Sequence, residues 1–187
     1  MSSSHQIIQE CSKATQANIE RAIKSFSYLS ENQFNLKLNP DSWSVGECIS
    51  HLVISNNLYL NKIEKILNSY PSSQEKEFPY KQSFFGKLIA KGVDPAYVRK
   101  SKTFKVFFPV ASEIHKDIID DYVKPSKKFI ELAGRMRNLD LKRIKLSSPV
   151  DKLIRLNLGD ALIIIPKHDE RHLNQAEKVM KSERFPK

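Results

Sequence analysis

His168 and His172 stand four residues apart in the run His-Asp-Glu-Arg-His. On a helix, residues at that spacing project from one face, one above the other, so the two imidazoles are close enough to share a small cation. The same spacing also arises on plain polar faces, and a pair of histidines does not complete a metal site. His51 is the third candidate ligand. It is flanked by the apolar Ile49, Leu52 and Val53, and a buried imidazole needs a partner on at least one ring nitrogen. That partner is either a hydrogen-bonding group in the core or, with the other two histidines, a metal ion. Three neutral imidazoles leave one or more coordination positions open, as in a catalytic rather than a closed structural centre. Imidazole suits zinc, nickel, copper or iron, so the residues alone do not select the ion; zinc or nickel is the expectation.

Other groups near these histidines have competing uses. Cys48, three residues before His51, could offer a thiolate, but a lone cysteine on such a face equally serves as a small hydrophobe. Glu47 and Asp169 are the candidate general bases, or acceptors that orient a ligand imidazole. Glu47 also completes a Ser44-x-x-Glu47 capping box, which gives it a structural use. The His168 run is similar to the His-Glu-x-x-His helix of zinc peptidases. Asp stands at the base position, one methylene shorter, and the third histidine lies upstream, so peptidase chemistry does not follow. His5 and His115 are expected to be solvent-exposed.

Four long segments must position the trio. Apolar residues recur every three or four positions over residues 5–30, which predicts a first helix. Residues 31–41 break that pattern with Asn32, Asn35 and Asn39-Pro40 and read as a loop. A second helix opens at Ser44 and runs to Asn68-Ser69-Tyr70-Pro71. Residues 71–109, punctuated by prolines, carry one short helix near residues 84–91 and read as a functional or covering connection. A third helix is predicted over residues 112–144 with a break or kink near Pro125, and Ser147-Ser148-Pro149 closes it. Residues 153–158 read as a turn or strand-like link. Asn157 or Gly159-Asp160 opens a fourth helix that reaches about Lys181, with Pro166 placed to aim His168. This is an all-α four-helix bundle with a long crossover connection between helices two and three, a single domain over residues 1–187.

Composition narrows the function classes. The 187 residues are 40% hydrophobic and 28% charged with five glycines, which suits a soluble helical domain. The net charge of +10 comes from basic residues scattered among apolar ones, as on solvated faces, and no nucleic-acid-reading motif accompanies it. Nucleic acid is therefore not an expected partner. The longest apolar run, 161–165, is far short of the ~20 residues that span a bilayer. Two cysteines and no secretory leader point to reduced thiols and a cytoplasmic location.

Trp43-Ser44-Val45-Gly46-Glu47 followed by His51-Leu52, and then His168-Asp169-x-Arg171-His172-Leu173-x-Gln175, resemble the two signatures of the DinB-like (YfiT-like) superfamily of metal-binding four-helix bundles. The resemblance implies an open three-histidine site formed by His51, His168 and His172. It implies metal-dependent hydrolase, or thiol transferase and isomerase, chemistry on a small-molecule substrate such as a thiol, and a homodimer. The alternative is a noncatalytic bundle that binds a metal or small ligand. Arg171 and Gln175 would support the site, and Trp43 would pack at the helix entrance.

Overall fold

The computed structural model describes residues 2–70, 76–97, 103–109, 111, 113–151 and 153–186. Four long helices carry it: α1 (Ser4–Phe26), α3 (Val45–Leu67), α5 (Ile118–Arg135) and α6 (Leu158–Met180). Helix α3 packs on α5 and α6, and α1 packs on the same two, so α1 lies diagonally across from α3 and α5 from α6. The all-α four-helix bundle is what the apolar periodicity predicts. No helix among the described residues is long and apolar enough to cross a membrane.

The starts of α3 and α6 are held by reciprocal caps. Ser44 accepts from the Glu47 amide while the Glu47 carboxylate accepts from the Ser44 amide, and Asn157 and Asp160 do the same at α6. Each box satisfies two backbone donors that would otherwise be orphaned. Both helices therefore begin at defined residues, which fixes the phase in which their histidines point. Helix α6 continues through Pro166 and α5 through Pro125. Pro166 has no amide to donate, but its carbonyl accepts a hydrogen bond from Asn18 Nδ2 at 2.9 Å.

Three boundaries differ from the sequence reading. The first helix ends at Phe26, not near 30, because Ser30 caps a separate short helix α2 (Glu31–Asn35) through a Ser30-x-x-Gln33 box. The third spans Ile118–Arg135, much less than residues 112–144; position 112 lies outside the described residues. Beyond it, tight turns bury Met136 and Leu141 and lead into β3 (Lys145–Ser147), which pairs antiparallel with β4 (Arg155–Asn157). The apolar residues after 135 were thus core-facing without being helical. His5 is only partly exposed, because its Nε2 bonds the Arg137 carbonyl at 2.9 Å, whereas His115 is open to solvent.

The long crossover between α3 and α5 is anchored at both chemistry-bearing helices. Its β2 (Pro79–Tyr80) pairs with β1 (Ser2–Ser3), and α4 (Phe84–Gly92) lies against α6. The joint is the buried Asp160, which accepts hydrogen bonds from the Tyr80 hydroxyl and from the amide and hydroxyl of Ser83, the α4 cap. Such close approach needs small residues: a Cβ at Gly86 would collide with the Asp160 carboxylate, and one at Gly159 with the Tyr80 ring.

Two apolar clusters fill the bundle, one around Leu60, Phe129, Leu162 and Ile165, the other around Phe26, Cys48, Ile49, Tyr122 and Leu173. Each long helix changes character between them. Buried Thr15 and Asn18 on α1, Ser55 and Asn56 on α3, Ser126 on α5 and Asp169 on α6 form a polar level across the middle of the bundle. His51, His168 and His172 belong to that level.

Candidate metal centre

His51, near the middle of α3's first half, is 2% exposed, and His172 on α6 is 9% exposed; His168, one turn before His172, is partly buried. One nitrogen from each of the three lies within 4.8 Å of the others, a grouping that could hold a metal ion. The Nε2 atoms of His51 and His168 are 3.1 Å apart. For comparison, two imidazole nitrogens bound tetrahedrally at zinc–nitrogen lengths of ~2.0–2.1 Å are separated by about 3.3 Å.

The hydrogen bonds around the rings constrain where their protons sit, most firmly at His51. His51 Nδ1 donates to the Phe107 carbonyl at 2.8 Å, so its Nε2 presents a lone pair. The Ser55 hydroxyl donates to the Leu52 carbonyl at 3.2 Å and lies 3.5 Å from His168 Nδ1, where it is left to accept. His172 Nδ1 is buried without a hydrogen-bond partner. An imidazole nitrogen in that state costs free energy unless something occupies its lone pair or proton.

Burial is the main influence on charge. It lowers the pKa of His51, which the bond to Phe107 partly offsets, and it brings His168 down to about 3, with His51 and Arg171 adding to the effect. His172 falls well below the ordinary histidine value, again by burial first, then by His168, His51 and Arg171, while hydrogen bonding with the Gln175 side chain opposes. All three rings are therefore neutral at neutral pH, the state that binds metals.

Trp43 is part of this centre. Its ring stacks on His172 with centroids 5.7 Å apart at 28° and meets His51 at 4.9 Å, with Phe108 edge-on behind it at 6.4 Å. It covers one side of the trio. On another side, a cavity of 350 Å³ is lined by His51, His168, Ser55, Tyr59 and Arg171. Arg171 donates to the carbonyls of Asp94 and Tyr97, tying the chain that follows α4 to the rim.

A family model described as the DinB superfamily matches residues 14–176. The chain belongs to the DinB superfamily. The matched span contains Trp43, the α3 capping box and all three histidines. No curated protein and no solved structure matches the chain significantly.

The other candidates of this DinB-superfamily chain have different surroundings. The Glu47 carboxylate accepts from the Ser44 amide and pairs with Lys37 at 3.1 Å. Asp169 points across the bundle, accepting from Asn56 Nδ2 at 3.1 and 3.2 Å and from the Tyr122 hydroxyl at 3.1 Å. Burial raises its carboxyl to about 7, against the lowering by Asn56 and Tyr122. Cys48 is fully buried in the apolar cluster of Leu173 and Val45, and burial raises its pKa far out of the thiolate range. Cys11 and Cys48 are both free.

Sequence reasoning missed three contributors. Trp43 was visible in the signature but read as packing. Phe107 acts through its carbonyl, which residue type does not encode, and Ser55 shares its face of α3 with His51 through simple i, i+4 spacing.

Proposed function

We propose that His51, His168 and His172 hold one divalent metal ion, zinc or nickel, in an open site that acts on a small-molecule substrate by hydrolase or thiol-transferase chemistry. The observation that carries this reading is the 3.1 Å approach of two Nε2 atoms whose partner nitrogens face Phe107 and Ser55. A cation held between these two nitrogens, with His172 as the third ligand, fits a pair spaced close to the separation of two tetrahedral zinc ligands. An ion held there supplies a Lewis acid that lowers the pKa of a water or thiol.

The chain's own groups do the rest. The Phe107 carbonyl fixes the His51 tautomer and ring angle, as partners of ligand histidines commonly do. Trp43 closes one side against water, and the cavity beside His51 and His168 admits a substrate from another. Glu47 and Asp169 are already engaged elsewhere, which favours thiol transfer over hydrolysis, since a thiol activated at the site needs no separate base. The cavity favours a site that receives a small molecule over one that only holds a metal, because a protein that merely stores an ion needs no space beside it.

Elemental analysis of untagged protein tests the proposal. About one divalent ion per chain is expected, lost in His51→Ala and in His168→Ala; a metal-free wild type after reconstitution with zinc and with nickel overturns it.

A further inference from the structure

We propose that the cavity beside His51 and His168 takes a small anion with an apolar tail, its head at the histidines and its tail among Ile89, Val93, Ile154 and Ile164. The inference deepens the metal reading and rests on it for part of the attraction at the head.

The access route comes first. Trp43 stands over His172 and His51, while the cavity is walled by His51 and His168 and by neither Trp43 nor His172. A molecule reaching the trio from the cavity therefore arrives at the His51–His168 side. Its head meets His51 and His168 with Ser55 and Arg171, each within one helical turn of one of them, and much of the remaining wall is aliphatic and aromatic, including Phe104 and Phe107. At 350 Å³ the space is at the small end of ligand sites. Apolar walls reward a tail in proportion to the area removed from water.

The sign of the head follows from charge. Arg171 lines the cavity three residues after His168, held at the rim by its bonds to the Asp94 and Tyr97 carbonyls, so a cationic side chain stands beside the head position. Carboxylates that could favour a cation face elsewhere: Asp94 pairs with Lys167 at 2.6 Å, Asp169 with Asn56 and Tyr122, and Glu47 with Lys37. A divalent ion at the histidines strengthens the same preference. A thiolate or a carboxylate on an aliphatic or aryl tail has the required chemistry, and an alkylamine does not.

Isothermal titration calorimetry of the zinc-loaded and the metal-free protein with octanoate, acetate and octylamine tests this. Octanoate is expected to bind at least about tenfold more tightly than either comparison probe, because acetate lacks the tail and octylamine has the wrong charge. Val93→Asp places a charge in the apolar wall that the tail must cover and is expected to weaken octanoate about tenfold, and acetate, which has no tail to lose, by clearly less; Val93→Ala, which keeps the wall neutral, has a much smaller effect. Octanoate binding no better than acetate, or no better than octylamine, in the zinc-loaded protein overturns the inference and leaves the metal site standing. If elemental analysis finds no metal uptake, the metal reading fails separately, and the order of the three probes on the metal-free protein decides: preference for octanoate supports the apolar-anion pocket, and its absence overturns it.

Discussion

The Nε2 atoms of His51 and His168 stand 3.1 Å apart across the α3–α6 interface, while the opposite nitrogen of His51 is tied to the backbone of Phe107 in the crossover. Helices α3 and α6 and the crossover that links α3 to α5 thus meet at one imidazole. An ion bound there joins α3 to α6 and should stabilise the fold by mass action. At a free zinc concentration a hundred times the dissociation constant, the gain is about 2.7 kcal/mol. Differential scanning fluorimetry should show a zinc-dependent rise in Tm for the wild type, reversed by a chelator and absent in His168→Ala.

Trp43 supports that site from the side. Stacking on His172 restricts the ring and keeps water off it, and an aromatic contact of this kind contributes about 0.5–1.5 kcal/mol beyond its buried area. Loss of groups that orient metal ligands typically lowers affinity about 10–100-fold. Trp43→Ala should weaken zinc binding within that range, and Trp43→Phe should retain most of it. Competition against a chromogenic chelator gives both values; equal affinities for wild type and Trp43→Ala would remove Trp43 from the centre.

The cysteines separate a thiolate ligand from a core residue. Burial, aided by Glu10, pushes the Cys11 thiol up to about 12, and burial raises Cys48 further. Because the thiolate is the reactive form, both should resist a thiol-specific chromogenic reagent at pH 8 in the folded protein and react fully in denaturant. Cys48→Ala should leave metal content unchanged and cost about 1 kcal/mol or more of stability through the small void it opens. Loss of metal in this variant would restore Cys48 as a ligand.

Much of this was legible because side-chain type and spacing carry it. The apolar periods of α1, α3 and α6 and the Ser44–Glu47 box encode helices whose phase brings His51 to His168 and His172, and these signals are local. What was not legible is non-local or carried by backbone. Apolar residues beyond Arg135 satisfied a helical period but are buried by turns and a β-hairpin, and only the pairing of Leu146 with Leu156 distinguishes the two. Ser30 and Gln33 spelled a cap as clearly as Ser44 and Glu47 did, yet the asparagines that follow masked the helix it starts. The polar level through Asn56, Tyr122 and Asp169 required knowing which helices face one another.

The seam between crossover and bundle depends on Gly159. A methyl there would meet the Tyr80 ring, whose hydroxyl bonds Asn157 and Asp160. The aromatic ring is packed and hydrogen-bonded, so it cannot simply swing aside, and overpacking of this type costs about 1–3 kcal/mol. Gly159→Ala should be destabilised by that amount in urea unfolding despite the better helix propensity of alanine, and Gly159→Ala with Tyr80→Leu should recover part of the loss. An unchanged midpoint for the single variant would show that the seam is loose.

A pH-dependent contribution lies at the α1–α6 contact. Arg21 Nε is 2.6 Å from Glu177 Oε1 and its Nη2 donates to Asn174 at 2.6 Å, with side chains 28% and 23% exposed. The Arg21 hydrogen bond, more than any other influence, lowers the Glu177 pKa below its ordinary 4.5, with Lys181 and Ser25 acting in the same direction. The unfolded chain therefore binds this proton more readily than the folded one. The pair's contribution is present above the ordinary carboxylate value and is lost as pH falls through the lowered one. For a partly exposed pair the contribution is about 1 kcal/mol after solvent screening. Glu177→Gln should be less stable than wild type by that amount at pH 7, and the two unfolding curves should converge in acid below the Glu177 pKa. A difference that persists undiminished at low pH would assign the loss to packing of the side chain and not to its charge.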